Sequence, residues 1–270
     1  MKRIILTLIA VLSLFFAQAQ KSGQTDFELG ATGGISWYNG DLNPDRFFHQ
    51  DYFHQAYGIS LRRNINQRFA LRSQFMMGTL SGDDAFGDGV FQRNRNLNFS
   101  TPIYELSATL EFNFFVFDAL LREHWISPYS FIGVGGFYFN PITEIEGNIY
   151  ELQPLATEGK LYSRVNVSVP FGMGVKMALS DRLILSADWG LRKTFSDYID
   201  DVSTLYPMAA DIDDLSEDIS DRSLVQAGPD GTNWGTQRGN SVNKDWFSFV
   251  GITLAVRLGP KKGSCKHLRI

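Results

Sequence analysis

Four histidines, His49, His54, His124 and His267, are the first residues to consider, because imidazole is the usual general base and metal ligand near neutral pH. No two of them are spaced like a metal pair on one strand, and they read as loop or turn residues. A Ser–His hydrolase at a membrane surface needs its hydroxyl and imidazole on adjoining strand ends, and His54 with Ser36 or Ser60 is the pair that could meet that need. Two acidic runs, "GDDAFGDG" (82–89) and "DIDDLSEDISD" (211–221), have the carboxylate density of calcium loops. Neither has the D-x-D/N-x-D/N-G order with its closing Glu, and both read as solvated loops. No glycine-rich phosphate loop joins a strand to a helix. These residue types point to no catalytic centre, no metal and no cofactor, and the chain reads as a non-enzyme.

The remaining chemistry is charge set in a strict alternation. In "YELSATLEFNFF" (104–115), Tyr104, Leu106, Ala108, Leu110, Phe112 and Phe114 share one face of an extended chain, and Glu105 and Glu111 lie on the other. The pattern recurs. Phe27, Leu29, Ala31, Ile35 and Trp37 oppose Glu28; Tyr57, Ile59 and Leu61 oppose Arg62; Phe69, Leu71, Phe75 and Met77 oppose Arg72. Further on, Val165 to Leu179 oppose Lys176, Leu183 to Leu191 oppose Asp188 and Arg192, and Val250 to Leu258 oppose Arg257. In "PYSFIGVGGFYFNP", Tyr129, Phe131, Phe137 and Phe139 form the aromatic face, and Ile132, Val134 and Tyr138 make the other face less polar than elsewhere. That makes about eight strands, most near the roughly 9–11 residues that a tilted membrane strand requires.

The chain has 270 residues, 44% hydrophobic, with 22 Phe and 25 Gly, which suits one sizeable domain. Residues 1–19 read as a signal peptide: Lys2 and Arg3, an apolar run from Ile4 to Phe16, then Ala17-Gln18-Ala19. That run has about 13 residues where a spanning helix needs about 20. Residues 20–258 then form the barrel and 259–270 a periplasmic tail. A net charge of −4 argues against a nucleic-acid partner, and a single cysteine, Cys265, excludes an internal disulfide framework.

The links between strands alternate, with "NINQ" and "SDR" at one end and long polar segments at the other. Short periplasmic turns and long external loops are the pattern of an eight-stranded antiparallel outer-membrane β-barrel, all-β in class, with lipid outside it. "FDALLREHWIS" (117–127) is a longer turn on the tight side. In such a barrel Glu28, Glu105, Glu111 and Asp188 share a narrow lumen with Arg62, Arg72, Lys176, Arg192 and Arg257, and enclosed charges require partners. Strand glycines (Gly58, Gly78, Gly172, Gly174, Gly190) leave room for the long side chains or mark bends. A soluble sandwich with a wet charged face is the competing architecture. The acidic segment 199–244 is expected to order against a partner or the barrel mouth through Tyr198, Tyr206 and Trp234.

"LRKTFSDYIDDVSTLY" (191–206), with its Phe195, Asp197, Tyr198, Asp200 and Asp201, carries the greatest specificity. Together with "PYSFIGVGGFYFNP", the "GDL" after the first strand and a lone cysteine in a short basic tail, it resembles the PorG-like outer-membrane barrels of type IX protein secretion. The resemblance implies a non-enzymatic barrel, in the outer membrane with its C-terminus in the periplasm, that docks a periplasmic ring of a lipoprotein and its partner. It further implies a contact through the tail, with Lys261, Lys262 and Lys266 around a Cys265 disulfide-bonded to a ring subunit. The alternatives are an OmpX- or OmpA-like structural or adhesive surface barrel and a lipid-modifying barrel enzyme.

Overall fold

The computed structural model describes residues 26–43, 48, 50–119, 122–226, 228 and 231–258. Residues 1–19, expected to be a signal peptide, together with His49, His267 and the tail with Cys265, Lys261, Lys262 and Lys266, lie outside them. The strands are β1 (Asp26–Asn39), β2 (His54–Asn64), β3 (Phe69–Asp83), β4 (Asn98–Asn113), β5 (Ile126–Phe139), β6 (Ile142–Ile145), β7 (Asn148–Glu151), β8 (Val165–Ala178), β9 (Leu183–Thr194) and β10 (Trp246–Arg257). The sheet runs β3-β2-β1-β10-β9-β8-β5-β4, every pair antiparallel, and β3 pairs with β4 to close it. This is an eight-stranded antiparallel β-barrel of the outer-membrane type. The small β6–β7 hairpin attaches beyond the wall, where Ile142 meets Ser100 of β4.

Alternation places the two faces. On β4, Leu106 is 65% exposed on the outer wall and Glu105 is 0% exposed in the lumen. Leu29, Ile59, Leu71, Phe75, Met173, Val175, Ile252 and Leu254 are likewise exposed, an apolar outer surface that only lipid would cover.

β5 departs from the expected arrangement. Its aromatic residues Tyr129, Phe131, Phe137 and Phe139 point into the barrel and are buried, and Ile132 and Val134 face outward. The reason lies on the neighbouring strands. Phe131 is in register with Gly172, which is in register with Gly190, and a Cβ at either glycine would fall 2.8 Å from the Phe131 ring. Tyr129 is in register with Gly174 and reaches past it to donate to Asp188 Oδ2 at 2.6 Å. Two rings thus lie over glycines, filling a layer that large side chains on all three strands would overcrowd.

The lumen is layered. Towards the long loops it holds an apolar core in which Tyr38, Met76, Phe99, Phe137, Phe139, Phe247 and Phe249 of the wall pack against Leu42, Ile199, Val202 and Ile219 from the loops. Alternation did not reveal this layer, because the wall residues that build it share an inward phase with the charged ones. At the turn end, the segment after β4 folds beneath the barrel. Phe117 packs on the inward-facing Ile184 and Ala255, with Ala119 and Ala178 beside them, which gives the long turn on the tight side its role as a plug.

Two outcomes follow. Phe131→Ala should cost about 3–5 kcal/mol, because the void over two glycines cannot collapse, and Ile132→Ala far less, because lipid replaces the lost contacts. Urea unfolding in detergent micelles, followed by the mobility difference between folded and heated barrel on gels, measures both. A lumen filled at both ends should give no stable single-channel current in a planar bilayer.

Candidate functional site

The inward charges nearest the turn end form one network centred on Glu111. Arg62 Nε lies 2.9 Å and Lys176 Nζ 3.1 Å from its Oε2, and Arg72 Nε 3.1 Å from its Oε1. Each arginine has a second acid: Arg62 Nη1 donates to Glu28 Oε2 at 2.7 Å, and Arg72 Nη1 to Asp188 Oδ2 at 2.6 Å. Arg62 and Arg72 are directly opposite in the β2–β3 register, where like charges repel, so Glu111 reaching in from β4 is what allows both. The inward rings of β5 add to this, with Arg72 4.8 Å from the Phe131 centroid and Lys176 5.0 Å from that of Tyr129. Higher in the barrel, Glu105 accepts from Arg192 Nε at 3.1 Å and from Ser168 Oγ at 2.8 Å. Arg257 is half-buried at the lower rim, in register with Glu28.

The specific segment after β9 closes the other end. Phe195 is exposed on the outside, and Asp197, Asp200, Asp201 and Val202 are buried. Tyr198 stacks on Tyr162 at 4.6 Å, and Tyr162 is parallel to Phe139 of the wall at 6.2 Å, so an aromatic ladder carries the barrel core up into the loops. Asp200 Oδ2 accepts from Tyr38 Oη at 2.6 Å and from the Leu42 amide at 3.2 Å. Asp201 has a left-handed backbone (φ 67) and is held by the hydroxyls of Tyr162, at 2.7 Å, and Thr157. Burial pushes its pKa up to about 6, against Arg238 and the two hydroxyls. The folded cap therefore favours its protonated form, a contribution complete below about pH 4 and lost as the pH rises to about 6.

Two arginines that the sequence reading did not single out tie these loops together. Arg95 pairs with both oxygens of Asp84, at 2.8 and 2.7 Å, and donates to the carbonyls of Arg238 and Asp41. Arg238 donates to the Asp201 carbonyl at 2.5 Å and to Glu158 at 3.1 Å. The only sequence signal for them was the presence of cations within otherwise acidic loops.

The acidic runs are solvated only in part, with Asp88, Asp211, Asp214 and Asp218 exposed. In the first, Asp83 caps a short turn and Asp84 is spent on Arg95. In the second, Asp213 caps the helix Asp214–Ser220, whose Ile219 and Ser220 are buried, and Asp221 accepts from Asn233. Among the described residues no group of three acids, histidines or cysteines could hold a metal. His54 Nε2 lies 2.6 Å from Ser81 Oγ, not from Ser36 or Ser60, and Ser36 donates to the Thr79 carbonyl. His124 sits half-buried in the turn after β4.

Glu111→Gln should leave Lys176 without its acid and Arg62 and Arg72 with one acid each, and cost about 3–5 kcal/mol in the unfolding assay above. Adding Lys176→Met to that variant should restore part of the loss, because one stranded charge is then removed.

Comparison with known proteins gives the following. No curated protein matches the chain. Among solved structures, Ail of Yersinia pestis aligns with a TM-score of 0.43 at 10% identity over 87% of this chain and 99% of that one. Neisserial surface protein A aligns at 0.44 and 10% over 85% and 96%, and OprG of Pseudomonas aeruginosa at 0.38 and 8% over 87% and 94%. A family model, the domain of unknown function DUF6089, matches residues 2–215, most of the chain, and the protein belongs to that family.

Proposed function

We propose that this protein is a sealed, non-enzymatic barrel of the outer membrane that anchors a periplasmic ring of a type IX protein secretion machine. The observation that supports it most is the filled lumen. Phe117 occupies one end and the core around Ile199 and Val202 the other, with paired charges between, so the interior offers neither a solute path nor an open cleft for chemistry. A barrel that neither conducts nor catalyses has its surfaces left to act with. Short turns at one end set the side that faces the periplasm in this reading, β10 ends at that side, and the basic residues Lys261, Lys262 and Lys266 with Cys265 that follow it in sequence are the proposed contact with a lipoprotein ring subunit.

A second reading, a structural or adhesive surface barrel, is favoured by the ordered cap at the loop end. It exposes Ile149, Leu161, Leu224, Val225 and Val242 well beyond the lipid-facing wall. Isolation of the tagged full-length protein from native membranes in mild detergent separates the two. Co-isolated periplasmic lipoprotein subunits, with a slower band on non-reducing gels that Cys265→Ser abolishes, are the expected result. A barrel that runs alone, in cells whose protein secretion survives its deletion, would overturn the secretion reading in favour of the adhesive one.

A further inference from the structure

The phenol of Tyr38, at the top of β1, touches two carboxylates at once. Its oxygen lies 2.6 Å from Asp200 Oδ2 and 2.7 Å from Asp245 Oδ1, and all three residues are at most 1% exposed. A phenol has one proton and can donate one such bond. The second short contact needs a proton on a carboxyl, which then donates to the phenol oxygen. Asp200 is the better ionised partner, because the amides of Leu42 and Val202 also point at it. Asp245 receives the Ile199 amide on Oδ2 only, which leaves Oδ1 as the seat of the additional proton. Gly40 lies close against the pair: a Cβ there would fall 1.9 Å from the Tyr38 oxygen and 2.2 Å from Asp245 Oδ1.

We infer that one shared proton latches the β9–β10 segment into the barrel mouth, joining β1, the residue before β10 and the Ile199–Val202 stretch, and that its loss releases that segment. The surroundings favour keeping the proton. Asp41 faces both acids and Asp197 faces Asp245. Among the cations, Arg95 faces Asp200 but is committed to Asp84, and Lys244 lies against Asp197. Tyr162 faces Asp200 from the remaining side. Burial pushes both Asp200 and Asp245 well above the usual carboxylate range. A raised folded-state pKa means that the latch is fully engaged at low pH and weakens as the pH rises through that value. Loss of the proton places two carboxylates against one phenol in a site buried from solvent, and the backbone contacts of Leu42, Ile199 and Val202 are lost with it. The latch belongs to the barrel itself and does not depend on which partner the barrel serves.

Hydrogen exchange of the full-length protein in detergent, followed by mass spectrometry on the peptide around 195–205, tests this. After correction for intrinsic exchange, protection should fall by about tenfold or more between about pH 6, where Asp201 is already ionising, and about pH 10. Asp245→Asn keeps the contact to Tyr38 through its amide and should hold protection constant across that range. Tyr38→Phe should lower protection at every pH. Infrared spectra at neutral pH should contain a protonated-carboxyl band that Asp245→Asn removes. Asp200→Asn provides a second non-titrating variant if the first fails to assemble, with gel mobility confirming a folded barrel. Equal protection at both pH values in the unaltered protein, a non-titrating variant that still responds like it, or the absence of the carboxyl band would overturn the latch.

Discussion

Glu111 is where the enclosure of charge in this barrel is resolved. Three cations from β2, β3 and β8 converge on one carboxylate that has no exposure to water, and two of those cations face each other across adjacent strands. A closed eight-stranded wall leaves no room for water to screen them, so each cation must have an acid within reach. Glu28 and Asp188 complete the set from opposite sides. The arrangement joins strands that are not neighbours in the sheet and so ties the wall together across its own interior.

Much of the remaining interior follows from that demand. The cations need flat partners as well as acids, and the inward rings of β5 supply them, with Phe131 and Tyr129 lying over glycines of β8 and β9. Above the charged layer the wall changes to Phe, Met and Tyr, and the loops descend to cover it. Covering an apolar layer from above brings loop backbone and loop acids out of water, and these need a second set of partners. Arg95, Arg238, Tyr38 and Tyr162 meet that need. The barrel thus has an ionic assembly at each end and an apolar layer between them, into which the Glu105–Arg192 pair reaches beside Phe249.

The segment from Phe195 to Ser203 gains its meaning from this arrangement. It lies where core, cap and wall meet, with Tyr198 extending an aromatic ladder and Asp200 and Asp201 holding neighbouring loops. Its residues serve to order the mouth, and the surfaces left for partners are the outer rim of the cap and the turn end. Within segment 199–244, Asp200 accepts from the Leu42 amide, Asp201 faces Arg238, Asp213 caps a helix and Asp221 accepts from Asn233, while Asp211, Asp214 and Asp218 stay exposed.

Strand number, the closed all-β architecture and the inward phase of Glu105, Glu111, Arg62, Arg72 and Lys176 were determined by the sequence itself, because a period of two assigns every residue on a strand to one of two faces. β5 escaped that logic: both of its faces are apolar, so periodicity could not tell which met lipid, and only the glycines of the neighbouring strands decided it. Which acid meets which base was also left open, since pairing depends on strand tilt and stagger around the closed wall. The cap was the least legible part. Arg95 reaches Asp41 and the Arg238 carbonyl, 54 and 143 residues away, and Tyr38 reaches Asp200 and Asp245, 162 and 207 residues away, and no local pattern encodes contacts at such separations. Tertiary structure alone turned acidic loops into a buried lock, because only a folded mouth removes the water that would otherwise satisfy them.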